Sequence, residues 1–370
     1  MTSRPLRAAG LLGAVLASAV SGAVLATPAS AHSPHRGAAV FVQTDNLRGN
    51  TVVAYDQAAD GSLHQAGTYA TGGLGGQLPG TGPDHLASQG ALAYDRAHHL
   101  LYAVNAGSDT LTVFAVDGDR LVRRQVIASG GGFPVSVAVH GSSVYVLNAA
   151  DGGSVQGYVS LAGRLVEVAS WHRGLGLPAG TTPGQVGVTP DGRRLVVTTK
   201  VGDSIDVFPL GLLGPAARPA VTRTPGQGPF GFTFDAAGRI VVTESATNSV
   251  ATFAFGRGAT LTKVAEAATG QQATCWVIGS GDHFYASNAG SSTLTGLTEG
   301  RRGSLTVLGD TGTGAGTVDA AVTSDGRFLH VQTGVDGGVD SFRINRDGSL
   351  TKTGTVTVPG AAGGEGIVAV

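Results

Sequence analysis

Lys200 and Glu244 occupy matching places in successive copies of a repeated phrase, and they carry opposite charges. The other copies have Asp45, Asn105, Asn148, Asn288 and Thr333 there. Asparagine is ordinary loop chemistry, since its side chain bonds nearby backbone and tolerates left-handed φ. An ammonium and a carboxylate need another reason. A glutamate partly withdrawn from water would act as a general base on water or a C–H bond. A lysine near it would hold a developing oxyanion or a substrate carboxylate. The plainer alternative is a salt bridge that ties the two repeats together. A second set of residues opens the short apolar segment ahead of each phrase: Gln89, Ser136, Gln185, Phe230 with Gly231, Cys275 with Trp276, Asp319 and Glu365. Trp276 and Phe230 would pack a planar or ring-shaped ligand, with core filling as the alternative. Gln185, Asp319, Gln89 and Ser136 would orient such a ligand by hydrogen bonds, or cap loops. Cys275 has no flanking His, Lys or Arg to lower its pKa, so a nucleophilic role is not expected.

Stronger catalytic signatures are missing from the sequence. There is no G-x-S-x-G elbow, no H-E-x-x-H, no phosphate-binding G-x-x-x-x-G-K and no EF-hand spacing. The 10 histidines form no ligand cluster. The reading therefore assigns no metal and no cofactor.

These residues must be positioned by repeats. The segments "FVQTDNLRGNTVVAY", "YAVNAGSDTLTVF", "YVLNAADGGSVQGY", "VVTTKVGDSIDVF", "VVTESATNSVATF", "YASNAGSSTLTGL" and "HVQTGVDGGVDSF" share one pattern. The small residue opening the second strand of each falls at Thr51, Thr110, Ser154, Ser204, Ser249, Thr293 and Gly338. Apart from a wider first interval the period is roughly 45 residues, that of a propeller blade. Each unit reads as an innermost apolar strand, a tight turn such as Pro190–Gly192 or Ser324–Gly326, a second strand, a polar loop, a third strand and a fourth. Asp-Gly supplies the positive φ that such hairpins require. One such sheet cannot bury both faces, whereas seven packed radially can. The first unit lacks an innermost strand, and "GEGIVAV" at the C-terminus is one without a blade. The expected fold is all-β: a seven-bladed β-propeller of four-stranded antiparallel blades, its ring closed by the C-terminal strand completing the N-terminal blade. In that geometry the start of the innermost strand and the end of the second strand share one face of the disc, beside the central channel. Lys200, Glu244 and Trp276 are expected to converge there.

The rest of the chain sets the context. Arg4 and Arg7, an apolar run from Ala8 to Ala26 and small residues at Ala29 and Ala31 predict a cleaved signal peptide over 1–31 and a secreted protein. Residues 32–37 read as a disordered tail and 38–370 as one propeller domain. Cys275 is the single cysteine, so packing and hydrogen bonds must hold the fold without an internal disulfide. Charged residues are only 13% of the 370, with net charge -1 and no basic stripe. A nucleic-acid partner is not expected, because neutralising phosphates requires clustered Lys and Arg. Nor is a membrane partner expected once the leader is gone. The expected state is a monomer, whose ligand is a small-molecule lactone or cyclic acid or, failing that, an extracellular glycan, peptide or protein. The 60 glycines have no collagen-like period and fit a turn-rich chain. The longest irregular stretch, Gly72–Gly90, accounts for the wide first interval and is of a length that is often functional.

The repeat, the blade number and the closure resemble the lactonase family of seven-bladed propellers, which includes propeller-type 6-phosphogluconolactonases and carboxymuconate-cyclising enzymes. The likeness covers essentially all of 38–370. "YAVNAGSDTLTVF" also resembles the YVTN-type repeat of surface proteins. The resemblance implies a G-P-R-H stretch followed one strand later by N-E, and the matching segment is "GPFGFTFDAAGRIVVTES". Gly228 and Pro229 match, Phe230 stands at the Arg position, Gly231 at the His position, Thr243 at the Asn position, and Glu244 keeps the acid. "SQGAL", "PVSVAVHG", "TPGQVGVTPDG", "PFGFTF" and "CWV" look closer to a secreted actinobacterial-type branch. The implied activity is hydrolysis of a lactone or cycloisomerisation of a carboxymuconate-like acid. Glu244 and Lys200 would be catalytic, and Gln185, Phe230, Trp276, Asp319, Gln89 and Ser136 would bind the substrate. A phosphorylated sugar lactone fits less well, since its phosphate would want the cations that this pattern lacks. The alternative is a non-catalytic propeller that binds its ligand on the same face.

Overall fold

The computed structural model describes residues 38–178 and 180–370. The signal peptide expected over 1–31 and the tail over 32–37 lie outside the described residues. Seven four-stranded antiparallel sheets follow one another along the chain. Thr51, Thr110, Ser154, Ser204, Ser249, Thr293 and Gly338 each begin the third strand of a blade, as the repeat requires. Inner and second strands are apolar because both faces are covered by neighbouring sheets; Leu100–Asn105 in blade two is buried at every position. Outer strands have one covered face, and Leu261–Ala268 in blade five alternates accordingly. Among the described residues the only helical pieces are short 3₁₀ turns such as Ala106–Ser108, and no helix is long and apolar enough to cross a membrane.

The ring is sewn shut by the C-terminus. Ile367–Ala369 pairs antiparallel with Ala39–Gln43, matching Val42 to Ile367 and Val40 to Ala369. Closure converts two open edges into ladder hydrogen bonds. The outer edges of blades three and four are less regular. Blade three splits its outer strand into Arg164–Glu167 and Arg173–Gly174, with Trp171 between them stacked on Tyr145. Blade four splits into Gly214–Pro215 and Ala220–Arg223. Pro215 and Pro219 cannot donate to a ladder, so an unbroken strand is not available there.

Two departures from a plain repeat shape the channel face. First, the inner strands of blades three to seven shift register as they begin, between Pro134 and Ser136, Pro183 and Gln185, Pro229 and Phe232, Thr274 and Trp276, and Thr317 and Ala320. A bulge at the head of a strand re-aims the side chains there. Second, the Gly72–Gly90 stretch lies across this face and then descends into the ring. The His85 N–H bonds the Gly363 carbonyl beside the closing strand, and the Gln89 N–H bonds the Gly184 carbonyl of blade four.

Candidate active site on the channel face

The axis of the disc is occupied by Gln89. Its side-chain amide donates to the Val277 carbonyl of blade six at 2.9 Å and accepts the Val277 N–H at 3.1 Å. Its backbone carbonyl accepts the Ser136 hydroxyl of blade three at 2.7 Å. Ser136 Oγ in turn accepts the Val186 N–H of blade four. Gln89 and Ser136 thus act as a plug that links four blades. Gly231 makes room for the plug: a Cβ on it would stand 2.1 Å from Gln89 Oε1 and 2.7 Å from the Cys275 carbonyl. The position at which the resemblance implies a histidine has no space for a side chain here.

An aromatic wall lies beside the plug. Trp276 donates its indole N–H to the Ser88 carbonyl at 2.6 Å and meets Phe230 edge to face at 5.4 Å. Both rings, with Cys275 and Val318, form one small apolar cluster. The Lys200 Nζ stands 5.0 Å over the Phe230 ring. Lys200 is half-buried, and among the described residues it has no carboxylate partner. Burial pushes the Cys275 thiol up to about 11, with the nearby Lys200 charge pulling down and Asp84 pushing up. That thiol is not a nucleophile at neutral pH. Gln185 turns away from the mouth and accepts the Phe232 N–H at 2.6 Å, tying blade four to blade five.

Buried acids gather around the plug as well. Asp319 lies beside Glu365, and its charge adds to burial in raising the Glu365 carboxyl. Glu365 accepts the Gly90 N–H at 2.7 Å and the Ser88 hydroxyl at 3.1 Å, and its own N–H bonds Asp45 at 2.8 Å. Asp84 accepts the N–H groups of Leu86 and Ser88. Burial raises Asp45 and Asp84 to about 7 and Asp319 to about 6, and it raises Glu365 well above the usual carboxyl range. Three of these acids were not among the expected site residues. Asp84 sits inside the irregular stretch, whereas Asp45 and Glu365 stand at strand ends that the repeat assigns to this face, without a role given to either. Among the described residues no group of acid, His or Cys side chains is placed to hold a metal ion.

Glu244 does not join this assembly. Its carboxylate is fully buried and turns outward into blade five, where Lys263 Nζ lies 2.8 Å from one oxygen and 2.9 Å from the other. Burial raises its pKa and the lysine opposes that shift. The expected convergence of Lys200, Glu244 and Trp276 is therefore corrected to Lys200, Phe230 and Trp276. The salt bridge weighed in the sequence, between Lys200 and Glu244, is not formed among the described residues; Glu244 pairs instead with Lys263 of its own blade. The repeat explains why. Asn105 and Asn288, at the same position, donate to Thr112 and Thr295 on the third strand at 2.8 and 2.9 Å. In blade five that threonine is Ala251, and the freed space admits the Lys263 side chain from the outer strand.

The chain matches no protein-family model and no curated protein. Solved structures do share its fold. A candidate 6-phosphogluconolactonase from Bacteroides uniformis superposes with a TM-score of 0.75 at 18% identity, over 90% of this chain and 99% of the other. The periplasmic gluconolactonase of Pseudomonas aeruginosa gives 0.69 at 21%, again over 90% and 99%. Virginiamycin B lyase from Staphylococcus aureus gives 0.53 at 11%, over 74% and 85%. What these structures share with the chain is the fold, a seven-bladed propeller here.

Proposed function

We propose that the mouth of the channel at blades four to six receives a small lactone or cyclic carboxylic acid, and that the activity is lactonase-type hydrolysis in an exported protein. The observation that carries this reading is Lys200, a cation without a carboxylate partner, held over an aromatic ring at the mouth. Lys200 would meet the carbonyl oxygen as it gains charge when water attacks. Phe230 and Trp276 are themselves buried, so they would meet the ring only at their rims. Asp84, held near 7 by burial, would take the proton from water, since a base poised near the working pH is the effective one. Glu244 is neutralised by Lys263, so we place the proton transfer on Asp84. The gluconolactonase name of a propeller of the same fold supports a lactone as the first substrate class to try.

A second reading, a non-catalytic binder, is favoured by the Gln89 plug, which fills the place where the resemblance implies catalytic histidine. One experiment separates the two. The full chain, Lys200→Met and Asp84→Asn are assayed with aliphatic, sugar and aromatic lactones, and binding is followed by calorimetry. Turnover by the wild type that falls at least tenfold in both variants supports the enzyme. Binding without turnover, lost in Lys200→Met, supports the binder. Neither binding nor turnover by the wild type, or turnover indifferent to Lys200, overturns the site.

A further inference from the structure

The turns joining inner to second strands, and third to outer strands, emerge on the disc face opposite the mouth. In blades four to six they are rich in arginine: Arg193, Arg194, Arg239, Arg257, Arg301 and Arg302, with Arg218 leading into the outer strand of blade four. Two of these are committed. Arg239 is held by Asp235 and by Glu299 at 2.8 Å, and Arg194 pairs with Asp191 at 3.3 Å while lying 4.6 Å over Phe255. Arg193, Arg218, Arg257, Arg301 and Arg302 are exposed, and among the described residues none of them is in an ion pair. The one acid of these turns not bonded to an arginine is Asp282. The arc is continuous: the Arg257–Ala259 turn packs on the third strand of blade four, and Gly303 abuts the Arg239 guanidinium.

Out of this basic arc stands an apolar tip. The hairpin of blade four is Gly211–Gly214, and its Leu212 and Leu213 are 104% and 88% exposed, the highest values of any large apolar side chain described. Leu161 at the neighbouring tip of blade three is also exposed. Leucines held this far from the fold do nothing for its core. A soluble acidic polymer would use the arginines and leave the leucines idle. A bilayer with anionic headgroups uses both, because apolar side chains enter the acyl boundary while guanidinium groups meet phosphates. We infer that this face docks on an anionic lipid surface, with Leu212 and Leu213 entering the headgroup layer and Arg193, Arg218, Arg257, Arg301 and Arg302 meeting lipid phosphates. The sequence led us to expect no membrane partner once the leader is gone. Folding gathers the arginines of three blades onto one face and so creates a field that linear order hides.

The test is co-sedimentation of the full chain with vesicles of phosphatidylglycerol and phosphatidylcholine, and with pure phosphatidylcholine, at low and high salt. Expected are binding to the anionic vesicles only and weakening by salt. Arg301→Gln with Arg302→Gln should lower partitioning roughly 20-fold at low salt. Leu212→Ser with Leu213→Ser should lower it roughly tenfold or more. Both pairs lie in exposed turns and should melt with the wild type. Each variant keeps the N-terminal apolar segment, so partitioning that neither variant changes belongs to that segment and overturns the inference. Binding that survives the leucine variant, fails in the arginine variant and is competed by soluble polyphosphate identifies an acidic polymer and also overturns it. Failure to sediment with either vesicle does the same. None of these outcomes bears on the lactone reading, which concerns the other face.

Discussion

Glu244 in blade five and Glu365 at the ring seam are both wholly buried, yet they are buried by different means. Glu244 has an ammonium across both its oxygens. Glu365 has a hydroxyl, backbone N–H groups and another acid, with Asp45 and Asp84 close by. A carboxyl group taken out of water must either meet a cation or keep its proton. Blade five takes the first course and the seam takes the second. An acid at a strand end therefore does not indicate chemistry until its partners are known, and at the seam burial without a cation holds the acids towards their protonated form.

Removing the cation should have the largest effect. Lys263→Met leaves the Glu244 carboxylate buried with only the Ser249 hydroxyl and should cost about 3 kcal/mol, because breaking a buried pair strands a charge. Glu244→Gln in the same chain should return most of that loss. Urea unfolding of the four proteins closes the cycle. A Lys263→Met protein as stable as the wild type would mean that Glu244, too, keeps its proton, and the contrast between the two sites would disappear.

The seam should respond to pH. Asp319 near 6, with Asp45 and Asp84 near 7, are raised above their ordinary value of 3.8, so protonation stabilises the fold. That contribution is complete below about pH 4 and is lost as pH rises through 6 to 7. Between the ordinary value and the folded-state value, each such group lowers stability by about 1.4 kcal/mol per pH unit, and above the folded-state value the loss levels off. Stability should thus fall between about pH 4 and 7, and Glu365→Gln, which keeps an acceptor for Gly90 and Ala91, should flatten the slope. A slope indifferent to that substitution would remove the account of mutually raised acids.

The plug yields a smaller effect. Gly231→Ala places a Cβ against Gln89 Oε1 and the Cys275 carbonyl and should cost about 2 kcal/mol by overpacking. Combined with Gln89→Ala the added cost should shrink, leaving the part due to the Cys275 backbone. Equal costs in both backgrounds would show that Gln89 does not set the space at Gly231.

The ring was legible in the sequence because it depends on local, repeated features: third-strand starts, tight turns, and a terminal strand without a blade. The aromatic pair was legible as a departure at two successive strand starts, where Phe230 corresponds to Cys275 of the next blade and Trp276 to Gly231. Glu244 was misplaced because its position identified the face of the blade but not the direction of the side chain. The clue was Ala251 standing where blades two and six have Thr112 and Thr295, and it becomes visible only when strand is laid beside strand. The repeat put Asp45, Asp319 and Glu365 on one face, but their mutual burial and the arrival of Asp84 from the irregular stretch had no sequence signature. The Gln89 plug depends on contacts 188 residues apart in the chain.

Lys200 should show the smallest effect on stability and the sharpest effect on function. Its Nζ has only the face of Phe230 as a described partner. An exposed cation–π contact contributes about 0.5–1 kcal/mol, and a methionine would keep the apolar packing of the stem. Lys200→Met should therefore unfold within about 0.5 kcal/mol of the wild type, as substitutions outside ion-pair networks do. Lys263→Met, the same chemical change one blade away, should cost several times more. The two substitutions thus compare a lysine that holds the fold with one left free for a ligand. A Lys200→Met protein that unfolds as easily as Lys263→Met would place Lys200 among the structural cations, and the channel mouth would lose its anion-binding group.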